Sequence, residues 1–305
     1  IACGILANIK AEVGGRDYDP NTTGDDFGSG ATSDVYHVDD DTVVKVLKHG
    51  DKSDAEKEIQ LSKWAFRMGI PTAISFDVAD VDGHPGLVYE SLGRGNLRNE
   101  LRDRPEDFDA TMQRYVGLLK TINGITVEED RLPKAIDKYR GCLESIRDVL
   151  TPEEYLKMSA LLDTVPERRS LIHGDCQIKN VRVVKGELFL IDLETLSCGD
   201  PIFELSALYC CYKAYSELDY KEFDTFFGVP TAMLGKILDA IFRLYFPSAT
   251  DAELEENVKK TALLTYMYMI RCVRTDMPGD SAAAEIMYRN FRRYLPEVND
   301  LRLSY

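Results

Sequence analysis

The chain has 305 residues, 44% of them hydrophobic, with 52 Asp and Glu against 37 Lys and Arg for a net charge of −15. That balance excludes a disordered tail, a collagen-like repeat and a disulfide mini-protein, and leaves a folded protein with either one large core or two lobes sharing a cleft. The acidic surplus is spread along the chain and argues against nucleic acid as a partner, because phosphate neutralisation needs clustered Lys and Arg.

Seven cysteines (Cys3, Cys142, Cys176, Cys198, Cys210, Cys211, Cys272) contain no CxxC pair. They fit neither a disulfide framework nor a zinc knuckle, so reduced thiols in a cytoplasmic protein are expected. The opening IACGILANIK and the later run Ala262–Ile270 both fall short of the roughly 20 apolar residues a membrane span needs. No retained targeting segment and no membrane partner are expected.

In chain order, FGSGATSDVYHV comes first. Glycines at 28 and 30, flanking Ser29, let backbone N–H groups approach phosphate oxygens without a Cβ in the way. VYHV and TVVKVL, separated by the acidic turn DDD, predict a β-hairpin. Lys45 lies among Val43, Val44, Val46 and Leu47, so it occupies either a solvent-facing alternate position or a cleft with a partner. Residues 54–68 carry Leu61, Trp64, Ala65 and Met68 at the i, i+3, i+4, i+7 spacing of an amphipathic helix stopped by Gly69 and Pro71. Glu58 on that helix is the candidate partner for Lys45. AISFDV and GLVYESL predict two further strands joined by DGHPG, and GRGN at 93–96 reads as a linker.

Beyond the linker the patterns are helical, with Leu205, Leu208, Tyr209 and Tyr212 at helical spacing and an almost wholly apolar segment from Val258 to Val273. One stretch interrupts them, LIHGDCQIKNVRVVKGELFLIDLE at 171–194. VRVV and LFLI pair through a Lys185–Gly186 turn, which sets Asn180 and Asp192 nearly opposite each other, equidistant from Gly186. Their amide and carboxylate oxygens are hard ligands of the kind Mg²⁺ takes when it carries a nucleotide. Asp175, five residues before Asn180, is placed to orient an attacking hydroxyl and take its proton, which makes this a phosphoryl-transfer site. His173 is read as a structural residue that holds the loop. No GxxxxGK[ST] occurs, which excludes a P-loop kinase, and the four histidines form no HExxH zinc site.

From about Phe27 onward the sequence resembles the protein-kinase-like superfamily, in particular its aminoglycoside phosphotransferase and choline kinase branch. The likeness rests on the HGDxxxxN loop at His173–Asn180 and the IDxE segment at Ile191–Glu194. It implies an α+β bilobal fold, with a small antiparallel β-rich lobe with one helix over residues 1–92 and a larger, mainly helical lobe over 93–305. It also implies that Lys45 holds the α- and β-phosphates of ATP, Glu58 pairs with Lys45, and Glu90–Leu92 forms the hinge at adenine. Asp175 is then the catalytic base, and Asn180 and Asp192 ligate Mg²⁺.

Two positions depart from the family pattern. Ser33 stands where the third glycine of the phosphate loop falls, and Glu204 occupies a position usually held by Asp, where it is expected to brace the catalytic loop. Gly174 in place of Arg, and only eight residues between Asp192 and Pro201, leave no activation loop. The expected acceptor is therefore a hydroxyl of a small aminoglycoside-, choline- or sugar-like molecule, and the expected state is a monomer or weak homodimer. A compact protein kinase and a nucleotide-binding protein without transfer activity are the alternatives.

Overall fold

The computed structural model describes residues 28–29, 33–128, 131–218, 227–276 and 279–305. They form two compact units. One comprises the described residues through Asn96 together with Asn180–Glu194, and the other comprises Leu97–Lys179 with Thr195–Tyr305.

In the first unit the strands are β1 (Gly28–Ser29), β2 (Ser33–Asp39), β3 (Thr42–Leu47), β4 (Ser75–Val81) and β5 (His84–Glu90). They form one antiparallel sheet in the order β1-β2-β3-β5-β4. Alternation along β3 serves both faces. Val44 and Val46 join Val38, Ala79, Val81 and Val88 in one cluster, while Leu47 joins Ala55, Ile59 and Leu87 beneath helix α1 (Lys52–Arg67). Since β3 is buried from end to end, the solvent-facing setting for Lys45 is excluded.

Helix α1 starts two residues before the sequence pattern, because Asp51 and Asp54 form a reciprocal cap at 3.1 and 3.2 Å. Its buried face is Ala55, Ile59, Ser62 and Ala65, so of the predicted stripe Ala65 is buried while Leu61, Trp64 and Met68 are half-buried. Ala55, Ser62 and Ala65 let the helix lie close to the sheet around Ile59, and Leu61, Trp64 and Met68 take the flanks. The β4–β5 turn is also tighter than DGHPG suggests. It consists of Asp82 and Gly83 at φ 53° and 81°, and His84–Gly86 already belong to β5. A Cβ at Gly86 would lie 2.8 and 2.9 Å from methyls of Val81 and Val44, so the absence of a side chain lets that cluster close.

The hairpin β7 (Val181–Val184) and β8 (Glu187–Leu190) packs with the same unit. Val183 donates to the Gly95 carbonyl at 3.0 Å and Leu190 to the Pro71 carbonyl at 2.7 Å. The Thr72 hydroxyl donates to the Leu190 carbonyl at 2.8 Å.

The second unit contains α2 (Leu97–Asp103), α3 (Phe108–Gly124), α4 (Ala135–Ser145), α5 (Pro152–Leu162), α6 (Ile202–Tyr209), α7 (Thr231–Tyr245), α8 (Asp251–Asp276) and α9 (Ser281–Tyr294). A short antiparallel pair, β6 (Ser170–Ile172) and β9 (Ser197–Gly199), sits among them. Helix α8 supplies the expected apolar centre, with Leu263, Leu264, Met267, Met269 and Ile270 buried. No helix among the described residues is long and apolar enough to cross a membrane.

Candidate active site

In the first unit, β3 sets Lys45 opposite Val35 of β2 and Leu87 of β5, on the side of the sheet covered by α1. Its ammonium donates to Glu58 Oε1 at 3.0 Å and to Asp192 Oδ1 at 3.2 Å. Lys45 and Glu58 are 7% and 11% exposed at the side chain, against 41% for Asp192, so one carboxylate of the pair is enclosed and the other is open. Burial alone would lower the lysine pKa, but Asp192 and Glu58 outweigh it and hold the ammonium above the usual lysine range. The Tyr89 hydroxyl lies 3.4 Å from Glu58 Oε1 and 3.2 Å from Ser62 Oγ. Burial, reinforced by the Glu58 charge, pushes its pKa up.

These charged groups border a pocket with an apolar wall that includes Val35, Val43, Ala73, Leu92, Ile191 and Leu193. Glu90 and Leu92, the expected hinge residues, both line it. The Glu90 backbone N–H donates to the Ile74 carbonyl at 2.8 Å, and its carboxylate accepts from the Ile74 N–H at 3.3 Å. An apolar slot ending in a lysine and carboxylates suits a flat base carrying a charged tail.

The route by which Asp192 reaches Lys45 differs from the sequence expectation. The β7–β8 turn is centred between Lys185 and Gly186, at φ 52° and 87°, so Val181 pairs with Leu190 and the Ile191 N–H donates to the Asn180 carbonyl at 3.0 Å. Asn180 thus faces Ile191, and Asp192 lies one residue further on. A one-residue offset ordinarily reverses the face of a strand residue. Asp192 has left the strand, however, and takes a left-handed φ of 60°, which places its carboxylate against Lys45.

The remaining predicted residues of this unit are placed as follows. Gly28 and Ser29 form β1, paired with Val35 and Asp34. Ser33 opens β2, buried and opposite Leu47. Gly30 lies outside the described residues.

In the second unit, the loop carrying Asp175 is anchored by buried polar groups. Glu204 on α6 accepts from the His173 N–H at 2.6 Å and from the Gly174 N–H at 3.2 Å, so it braces this loop as expected. Burial pushes its carboxyl up to about 7, against the pull of the loop N–H groups that favour the charged form. His173 is fully buried, and its Nδ1 accepts from the Asp175 N–H at 3.3 Å, which supports its structural reading. Further along, the Ile178 N–H donates to the Tyr212 hydroxyl at 2.9 Å, and Tyr115 donates to the Cys176 carbonyl. Gly174 sits at φ 79°, where a Cβ would meet the Thr195 carbonyl at 3.1 Å, so a side chain there is both strained and crowded.

Asn180 and Asp192 present oxygen donors only, one amide and one half-open carboxylate at adjoining ends of one hairpin. Among the described residues no cluster of three or more His, Cys, Asp or Glu is arranged to hold a metal. A donor set of one or two hard oxygens fits Mg²⁺, which leaves most of its positions to water and phosphate, and does not fit zinc. Tyr89, Ser62, Thr72 and Arg182 also line the pocket, and no motif in the sequence marks them. Tyr89 was within reach: strand alternation on β5 puts it on the Leu87 face that meets α1.

A family model described as the phosphotransferase enzyme family matches residues 23–255. Among solved structures, the ADP-bound aminoglycoside phosphotransferase APH(2'')-Ib is similar at a TM-score of 0.58 and 16% identity, over 98% of this chain and 99% of that one. The GDP complex of a mutant aminoglycoside 2'-phosphotransferase-IIIa gives 0.65 and 12%, over 96% and 98%. A thermostable mutant of APH(4)-Ia with ADP and hygromycin B gives 0.62 and 13%, again over 96% and 98%. At these identities the likeness shows the fold, which is that of the aminoglycoside kinases. Among curated proteins none matches.

Proposed function

Because the chain belongs to the phosphotransferase enzyme family, we propose that it moves the γ-phosphoryl group of ATP to a hydroxyl of a small molecule, with Asp175 as the base. It is a small-molecule kinase. Aminoglycoside-, choline- and sugar-like alcohols are the acceptor classes in view. The observation that carries the reading is the Lys45–Glu58–Asp192 triad bordering an apolar pocket. Glu58 fixes the Lys45 ammonium, and Lys45 binds the α- and β-phosphates. The apolar wall takes adenine against the Glu90–Leu92 backbone. Gly28, Ser29, Gly30 and Ser33 belong to the segment assigned to the phosphates.

Asn180 and Asp192 would hold Mg²⁺, which when bound neutralises charge on the phosphates. Asp175 accepts a hydrogen bond from the acceptor hydroxyl and orients its oxygen. That oxygen bonds to the γ-phosphorus as the bond from phosphorus to the β–γ bridging oxygen breaks, and the hydroxyl proton passes to Asp175. The six described cysteines form no disulfide, which agrees with a cytoplasmic setting, and a monomer or weak homodimer suffices for this chemistry.

The test is ADP release over aminoglycosides, choline-like amines, sugars and amino-alcohols, with the Asp175→Ala protein as background. Turnover is expected to fall by at least about 10²-fold in Asp175→Ala, with ATP binding retained. Asp192→Ala is expected to lose Mg²⁺-dependent nucleotide binding. Wild-type turnover by Asp175→Ala on a verified acceptor would overturn the base assignment.

A further inference from the structure

Within the second unit, the start of α2 adjoins the loop that carries Asp175. The Arg98 N–H donates to the Ile178 carbonyl at 3.3 Å, three residues beyond Asp175. Basic residues nearby have carboxylate partners. Arg102 pairs with Asp103 at 2.7 Å, Arg104 pairs with Glu100 at 3.2 Å, and Arg114 shares Glu100. Arg98 has no carboxylate partner among the described residues. Its Nε is buried without an acceptor, and among the described residues the charge that bears on its guanidinium is the like charge of Arg102.

Gln177, two residues after Asp175, is a second unsatisfied group, on the Asp175 loop itself. It is 8% exposed and its Oε1 is buried with no donor. A third observation shows that the position of Arg98 is built. Gly228, at φ 63°, leaves room for its side chain, since a Cβ there would lie 3.1 Å from Arg98 Cδ.

A buried donor on an unneutralised cation and a buried acceptor, both beside the loop assigned to the acceptor hydroxyl, are costly unless a ligand completes them. We infer that Arg98 and Gln177 form an acceptor subsite, and that the alcohol phosphorylated carries an anionic group, a carboxylate or a phosphate monoester, which Arg98 binds while Gln177 accepts a neighbouring O–H or N–H. The inference rests on the transfer reading above and narrows its acceptor class. A planar guanidinium binds either anion through paired N–H bonds. The same cation disfavours an acceptor that bears several ammonium groups.

The probes are glycerate and 3-phosphoglycerate as anionic alcohols, glycerol as the neutral control and kanamycin as the cationic one, each added to the full chain with ATP and Mg²⁺. Calorimetric binding and ADP release are both read. The anionic alcohols are expected to bind saturably, and Arg98→Leu to weaken them at least tenfold while Arg98→Lys keeps part of the affinity. ATP binding by Arg98→Leu reports that the variant is folded. Gln177→Leu is expected to weaken the same probes and to raise Tm, a combination that a merely structural glutamine would not give. Anionic binding that depends on Arg98 without any ADP release would remove the transfer reading and leave the subsite. ADP release on kanamycin or glycerol, unchanged in Arg98→Leu, would keep transfer and overturn the subsite. Failure of both anionic alcohols to bind would also overturn it.

Discussion

Lys45 keeps its charge at 6% exposure because two carboxylates lie within 3.2 Å of its ammonium. Removing one partner of an enclosed ion pair leaves the other uncompensated and costs about 3–5 kcal/mol, more than the pair itself contributes. Lys45→Met is therefore expected to destabilise the protein by about 3 kcal/mol in urea denaturation and to lose ATP binding. Adding Glu58→Gln is expected to restore at least about 1 kcal/mol without restoring ATP binding. Equal stability of the single and double variants would show that Glu58 is not held by Lys45.

Glu204 makes a prediction of a different kind. Its carboxyl is raised to about 7 from 4.5, so the folded state binds a proton that the unfolded chain has released. A group raised in this way contributes stability below pH 4.5 that is lost as pH rises through about 7. A shift of that size is worth about 3 kcal/mol. The stability of the wild type relative to Glu204→Gln should thus fall by about 3 kcal/mol between pH 4.5 and pH 8. A difference between the two proteins that stays flat over that range would mean that Glu204 is charged throughout.

At the scale of elements, the β7–β8 hairpin governs where Asn180 and Asp192 lie. Its turn needs positive φ at both central residues, and Lys185 sits at 52° with Gly186 at 87°. Gly186→Ala should cost about 1 kcal/mol, and Lys185→Asn should recover a few tenths. Because the register carries the site, Gly186→Ala should also weaken Mg²⁺-dependent ATP binding, read by titration calorimetry. Unaltered affinity would detach the turn from the site. The existence of this hairpin is legible in the sequence, since VRVV and LFLI flank a Lys-Gly turn.

Its register is not legible, because counting residues to Gly186 does not reveal that the turn is centred half a residue earlier. The left-handed backbone at Asp192 compensates for the difference, and nothing in the residue pattern signals it. The same limit applies to α1. Hydrophobic spacing finds the helix and Ala65 but weights its face toward Leu61, Trp64 and Met68, whereas packing against the sheet also selects Ala55, Ile59 and Ser62. Arg98 and Gln177 are not legible in the sequence for a related reason, since an unsatisfied group is defined by what surrounds it in space.

At the scale of the whole molecule, contacts distant in sequence close the second unit. Asn257 is fully buried and exchanges two hydrogen bonds with the Ser304 backbone, at 2.7 and 2.9 Å. Lys260, 5% exposed, donates to Asp300 Oδ1 at 3.0 Å and to the Arg302 carbonyl at 2.7 Å. The Leu301 N–H donates to Thr164 Oγ1 at 2.8 Å, and the Leu301 side chain is buried. Deleting residues 300–305 strands a buried amide, at about 1–3 kcal/mol, and leaves a buried ammonium with Glu256 alone, 3.9 Å away, at about 3 kcal/mol. Against a total stability of about 5–15 kcal/mol, that loss should unfold much of the second unit at 37 °C. Replacing the stranded groups by apolar ones, Asn257→Leu with Lys260→Met, should recover a large part of the loss in the truncated chain, because the penalty lies in the missing partners. Both changes are read by urea denaturation. If the truncated protein melts within about 2 °C of the full chain, the two buried polar groups find other partners and the tail does not hold the unit together.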